Sequence, residues 1–332
     1  MKKVIALIAT LSLVLSVSGC SLFTKDPQKA VDEGFAKFAD VNKMNSILKL
    51  SGTVKAPAGE KPETIQFALD ASGKMDTSDS ENPKIDVAFK ADATVDGQKY
   101  SGDFMIKASD KKVFVKVGSL QMPGEGGKAL NTQLASVLNV WWSLPASEDS
   151  TLSKYGSQQA EFRELLKNTK FFTGAREEAK EMIQGSEMTK YRVDLDKEAL
   201  KKFLLEMIRI SGSQLQPEEE VAIGERLKEI ETSGALWIGG DNYMHRIQGT
   251  VTSQPKQGPS TSFEIDYTSW DFGKDVTVEA PAGAQEFNPL MLLPILGAFS
   301  SVGQEAAVPA AGDLGAKQVT PKAVVPAAPV KK

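Results

Sequence analysis

One cysteine and one histidine, Cys20 and His245, are all that 332 residues offer of either type. A single thiol cannot form a disulfide within the chain. With one imidazole, the usual zinc-ligand sets and the Ser/His and Cys/His nucleophilic arrangements lack their parts. There is no basic surplus either: 39 Lys and Arg stand against 43 Asp and Glu, a formal charge of −4. Nucleic acid, which is held through phosphates by clustered cations, is therefore not an expected partner. Aromatic residues are sparse at 7%, while 41% hydrophobic and 25% charged residues are ordinary for a globular protein. No sequence repeat is present. These absences imply no cofactor, no metal and no enzyme.

What is present begins at the N-terminus. Lys2 and Lys3 precede an apolar and small-residue run from Val4 to Val17, then Ser18-Gly19-Cys20. A basic start, a short apolar core and small residues before a cleavage point are the parts of a secretory signal. The core falls short of the roughly 20 apolar residues that a spanning helix needs. Leu15-Ser16-Val17-Ser18-Gly19-Cys20 resembles the lipobox of bacterial lipoproteins. That resemblance implies cleavage after Gly19, diacylglyceryl attachment to the Cys20 thiol and acylation, for example with palmitate, of the new amine. Residues 1–19 would then be signal peptide and 20–26 a lipidated tether. Loss of Lys2 and Lys3 moves the formal charge from −4 to −6. One acyl chain anchors reversibly and two or three durably. The implied location is extracytoplasmic, moored in a membrane through Cys20. This is the outer membrane in a diderm cell, where Ser21 suits that sorting, or otherwise the outer face of the cell membrane.

From Asp26 to Val41 the pattern predicts a helix: Pro27 suits its first turn, and Ala30, Val31, Phe35, Phe38 and Val41 recur near helical spacing. The period then falls to two. Ile65, Phe67, Leu69 and Ala71 alternate with polar neighbours, as do Ile85 through Val95, then Phe104, Ile106 and Ala108, then Val113, Val115 and Val117. Such alternation marks antiparallel strands with one apolar and one wetted face. Asp96-Gly97 and Ser109-Asp110-Lys111 supply hairpin turns. Residues 46–120 thus read as a meander of about five strands.

Residues 128–232 are expected to be a helical segment. Leu130, Leu134, Val137, Leu138 and Trp141 lie on one helical stripe ended by Pro145, and helices follow at Gln158–Lys167, from Asp196 to Ile210, and from Pro217 to about Glu231. A strand is expected at Lys190–Leu195 between them. Strands return at Gly234–Ile238, Tyr243–Ser253, Ser260–Phe272 and Val276–Glu279. Phe287–Phe299 is apolar but interrupted by Pro289 and Pro294, and residues 300–332, without an aromatic, read as a disordered Ala/Pro/Lys tail.

Helix, long meander, helical middle and returning strands, over residues 27–286, resemble the LolA/LppX–LprG-like lipid carriers in order. Ala235-Leu236-Trp237-Ile238-Gly239-Gly240-Asp241-Asn242-Tyr243-Met244-His245-Arg246-Ile247 is similar to that family's hairpin, and Val276-Thr277-Val278-Glu279-Ala280-Pro281 to its closing strand. The resemblance implies an α+β fold in which a strongly curved antiparallel half-barrel wraps helices around an apolar hollow. The function it implies is an envelope lipoprotein that binds or transfers a lipid or other hydrophobic ligand. Candidate hollow residues are Phe67, Phe89, Phe104, Phe114, Trp141, Trp237 and Met244, which equally well serve as core. Trp141 and Trp142, adjacent on a helix, cannot share a face, so one is expected in the core and the other at a rim. His245 is expected on a strand surface, without a catalytic role. Four readings stay open for Phe287–Phe299: a plug in cis, a dock for an envelope protein partner in a structural or assembly role, a segment in the membrane interface, or a C-terminal helix packed on the body.

Overall fold

The computed structural model describes residues 26–287 apart from 58, 61–62, 125–126, 128–130, 133, 145–150, 214 and 256–257. The expected signal peptide, Cys20, most of the 287–299 segment and the expected tail lie outside the described residues.

Helix α1 runs Pro27–Ala39, with Pro27 in its first turn and the Asp26 carboxylate accepting the Gln28 amide. Both are standard ways to start a helix. Five long strands follow: β1 Lys43–Lys55, β2 Thr64–Asp76, β3 Lys84–Val95, β4 Gln98–Ser109 and β5 Lys112–Gln121. Their order in the sheet is their order in sequence. The predicted turns carry the backbone that tight hairpins need: Asp96 and Gly97 have φ of 48° and 83°, Asp110 and Lys111 of 53° and 57°.

The later chain is less helical than expected. Trp141 is not on a helix: β6, Trp141–Leu144, lies antiparallel to β5. Helix α2 (Thr151–Asn168) is followed by a hairpin of β7 (Phe172–Ile183) and β8 (Ser186–Leu195). Helix α3 (Lys197–Ile210) is capped by the Asp196 carboxylate, and α4 (Pro217–Lys228) opens with a capping box of Gln216 and Glu219. Residues 128–232 therefore carry three strands as well as helices. Strands β9 (Ile230–Gly239), β10 (Met244–Ser253) and β11 (Ser260–Trp270) return as expected. Val276–Pro281 forms no strand; the closing pair is instead β12, Gln285–Glu286, parallel to β6.

The strands make one open sheet of twelve, ordered β12-β6-β5-β4-β3-β2-β1-β11-β10-β9-β8-β7. Every pair but β12–β6 is antiparallel. With four helices among the described residues, the architecture is α+β with an unclosed sheet. The core is not central. It gathers at one end, where Ala30 and Val31 of α1 meet Tyr191, Val193, Leu236, Ile238 and Met244 of β8–β10, with Phe35 and Phe38 packed beside them. Gly34 allows this approach, since a Cβ there would stand 2.8 Å from Ile238 Cδ1.

Candidate functional site

Cross-strand partners share a face of a sheet. Leu50 pairs with Leu69 and Leu69 with Ala91; Ala71 pairs with Phe89 and Phe89 with Phe104. Val87 pairs with Ile106 and Ile106 with Val115, which pairs in turn with Trp142. The alternating apolar residues of β1–β6 thus merge into one continuous surface. Its opposite face carries Asp70, Lys90 and Asp103 in direct register.

This apolar surface is incompletely covered. None of Leu48, Leu50, Phe67, Leu69, Phe89, Phe104, Ile106 and Val115 is fully buried, although each faces the apolar side. Among the described residues, the helices pack substantially only on β7–β10 and one another. Helix α3 shows the same imbalance: Leu200, Phe203, Leu204, Met207 and Ile208 are all partly exposed, and no residue of this amphipathic helix is buried. Apolar area left in contact with water costs about 25 cal/mol per Å². An apolar expanse of this kind commonly marks a binding surface.

The sequence candidates divide. Phe67, Phe89 and Phe104 stand together on the open face, with Phe67 5.6 Å from the Phe263 ring. Phe114 does not join them, because its partners Lys107 and Ser143 put it on the other face, where it is buried. Trp141 also lies on that face, its ring under Lys107 Nζ at 5.6 Å and Lys116 Nζ at 6.0 Å. Its neighbour Trp142 is the buried member of the pair and donates its indole N–H to Val137 O. Met244, wholly inaccessible, belongs to the packed core rather than to a lining. Reading the residues alone missed Leu48, Leu50, Leu69, Val87, Ile106 and Val115, whose alternation was nevertheless the available signal.

Trp237 also points away from the open face. Lys190 and Arg246, its register partners, cover the ring at 5.2 and 4.7 Å from its centroid, and its indole donates to Glu181 at 2.8 Å. Arg246 forks onto Asp266 with bonds of 2.8 and 2.6 Å, and Asp266 holds the guanidinium pKa above its ordinary value. The Trp237 ring is 1% exposed under this charged cover, so it is a stabilising element. Next to it a groove of about 570 Å³ opens on the same polar face, lined by Lys49, Lys190, Arg192, Glu178, Glu264 and Asp266 among others. Its three cations and three anions give it no preference for a ligand of either sign.

His245 is not on the surface. It is buried, with Nδ1 3.1 Å from Ser269 O and Nε2 3.1 and 3.0 Å from the two Asp241 oxygens, and its ring lies 4.7 Å from that of Phe272. A carboxylate does stand beside it, four residues upstream. Both ring nitrogens are engaged, which ties the β9–β10 turn to β11 and leaves neither for a substrate. Lys37 of α1 reaches the same turn, donating to Asp241 O at 3.2 Å. Among the described residues no cluster of His, Cys, Asp or Glu is able to hold a metal ion, and no helix is long and apolar enough to cross a membrane.

No family model and no curated protein matches the chain. Among solved structures it is similar to LprF from Mycobacterium bovis, at 13% identity over 77% of this chain and 97% of that one, with a TM-score of 0.32. It is similar to the Mycobacterium tuberculosis lipoprotein LppX at 12% identity, 76% and 98% coverage and a TM-score of 0.30. A DUF1329 family protein from Desulfovibrio piger follows at 10% identity, 77% and 96% coverage and a TM-score of 0.19. At such identities and TM-scores nothing about a ligand of this chain follows.

Proposed function

We propose that this chain is a membrane-anchored envelope lipoprotein, tethered through Cys20, that shelters the acyl chains of a lipid, or another hydrophobic ligand, on the open apolar face of β1–β5. One observation carries the reading: Phe67, Phe89 and Phe104 share a face with Leu50, Leu69 and Ile106, and no described helix packs substantially on it. A domain with spare helices and a core gathered at one end has the means to fill that face and does not use them. Hydrocarbon chains suit it because the surface is long, continuous and without a charged side chain in its register rows. The role is carriage rather than catalysis, since His245 is fully engaged inside the fold.

The test is native mass spectrometry of the chain from Ser21 to Lys332, secreted by bacteria and purified without detergent. A co-purified lipid is expected, and Phe89→Glu should strip it while leaving the folded protein intact. Repeated recovery of lipid-free wild-type protein, with no uptake of a fluorescent fatty acid, overturns the reading.

A further inference from the structure

The described chain ends at Phe287, beside the open face. Its amide donates to Ser143 O at 3.0 Å, and its ring meets that of Trp142 edge-on at 6.4 Å. Trp142 shares a register row with Val115 and Ile106, so Phe287 stands at the margin of the apolar surface. We propose that the following apolar stretch, Leu290 to Phe299, docks in cis on the apolar face of β1–β5. This deepens the reading of that face as a lipid surface and rests on it for one consequence: the segment and the ligand compete.

Three observations favour this occupant. Pro289 has no amide hydrogen and so cannot donate a further ladder bond to β6, which disfavours continuation of the β12–β6 pairing. The twelve residues after Phe287 reach about 40 Å when extended, while the five strand spacings from β6 to β1 span about 24 Å. The segment is long enough to cross the whole face. Its chemistry also matches: no charged residue occurs from Phe287 to Gln304, and Leu290, Met291, Leu292, Leu293, Ile295 and Leu296 are nearly contiguous. Burying such a run against the uncovered strands removes two apolar surfaces from water at once.

The full-length lipidated chain carrying p-benzoylphenylalanine in place of Leu293 is irradiated in membranes and its adducts are mapped by peptide mass spectrometry. Adducts within the same chain, on peptides of β1–β5, are expected, and Leu292→Asp with Leu296→Asp should reduce them at least fivefold. Adducts only to a second copy, to another protein, to lipid, or to β7–β11 overturn the docking. Added oleic acid should lower the cis adduct several-fold. Adducts on β1–β5 that oleic acid leaves unchanged uphold the docking but remove the competition, so failure of the lipid reading is separately visible.

Discussion

His245 and Asp76 show how single polar residues hold this sheet in place. The His245 ring bridges Asp241 and Ser269 O inside the fold, so truncation leaves a cavity and strands its partners. His245→Ala should cost about 2–4 kcal/mol in urea unfolding. It should leave fatty-acid uptake by the still-folded protein unchanged, because β10 lies away from the open face. Asp76 sits at the end of β2. Burial pushes its carboxyl pKa up, but hydrogen bonds from the Ser78 hydroxyl and amide, together with Lys43, more than offset this and bring it below the ordinary value. A depressed carboxylate contributes stability that is present above the unfolded pKa and lost as pH falls through the folded one. The urea midpoint should therefore fall on acidification below the ordinary carboxylate range, and Asp76→Asn should flatten that limb. An unchanged acid limb in the variant contradicts this role. At this scale the sequence was partly misleading. Gly234-Ala235-Leu236-Trp237-Ile238 is small or apolar throughout, so alternation could not say which side Trp237 takes. Only its register with Lys190 and Arg246 decides that.

Elements with a clean period were legible, and those without one were not. The meander β1–β5, the helix starts at Pro27 and Asp196 and the hairpin at Asp96-Gly97 all follow from local chemistry that needs no partner to be read. Strand β7 was invisible for a physical reason. It is an edge strand, bulged at Thr173/Arg176 and Glu177/Ala179, and its Arg176-Glu177-Glu178 and Lys180-Glu181 carry the charges that guard exposed edges from pairing. Trp141 was misread as helical because a four-residue strand is too short to show its period. Phe67, Phe89 and Phe104 were found because they alternate, while Phe114 was chosen for its aromatic ring although it is out of phase with Val113, Val115 and Val117, so that alternation itself puts it on the other side. Helix α1 offers a direct check on how elements dock. Gly34→Ala should be mildly destabilising, since its Cβ would stand 2.8 Å from the Cδ1 of buried Ile238 and must push that side chain aside, which offsets the gain in helix propensity. Gly34→Val should lose about 1–3 kcal/mol by prising α1 from β9. A calorimetric comparison that finds Val as stable as Ala contradicts the close packing.

The whole molecule is uneven. One end of the sheet, β7–β10, is roofed by α1 and holds the main buried cluster; the other, β1–β5, presents an apolar face that no described helix covers substantially. A chain moored to a membrane by the acyl groups implied at Cys20 would hold that face close to a source of lipid. The unevenness is the central claim, and photolabelling with a diazirine fatty acid reads it most directly. The account predicts adducts on β1–β5, around Phe67, Phe89 and Phe104, in wild-type protein and their loss in Phe89→Glu. Adducts confined to the polar groove by Lys190 and Asp266, or none in folded protein, would contradict it.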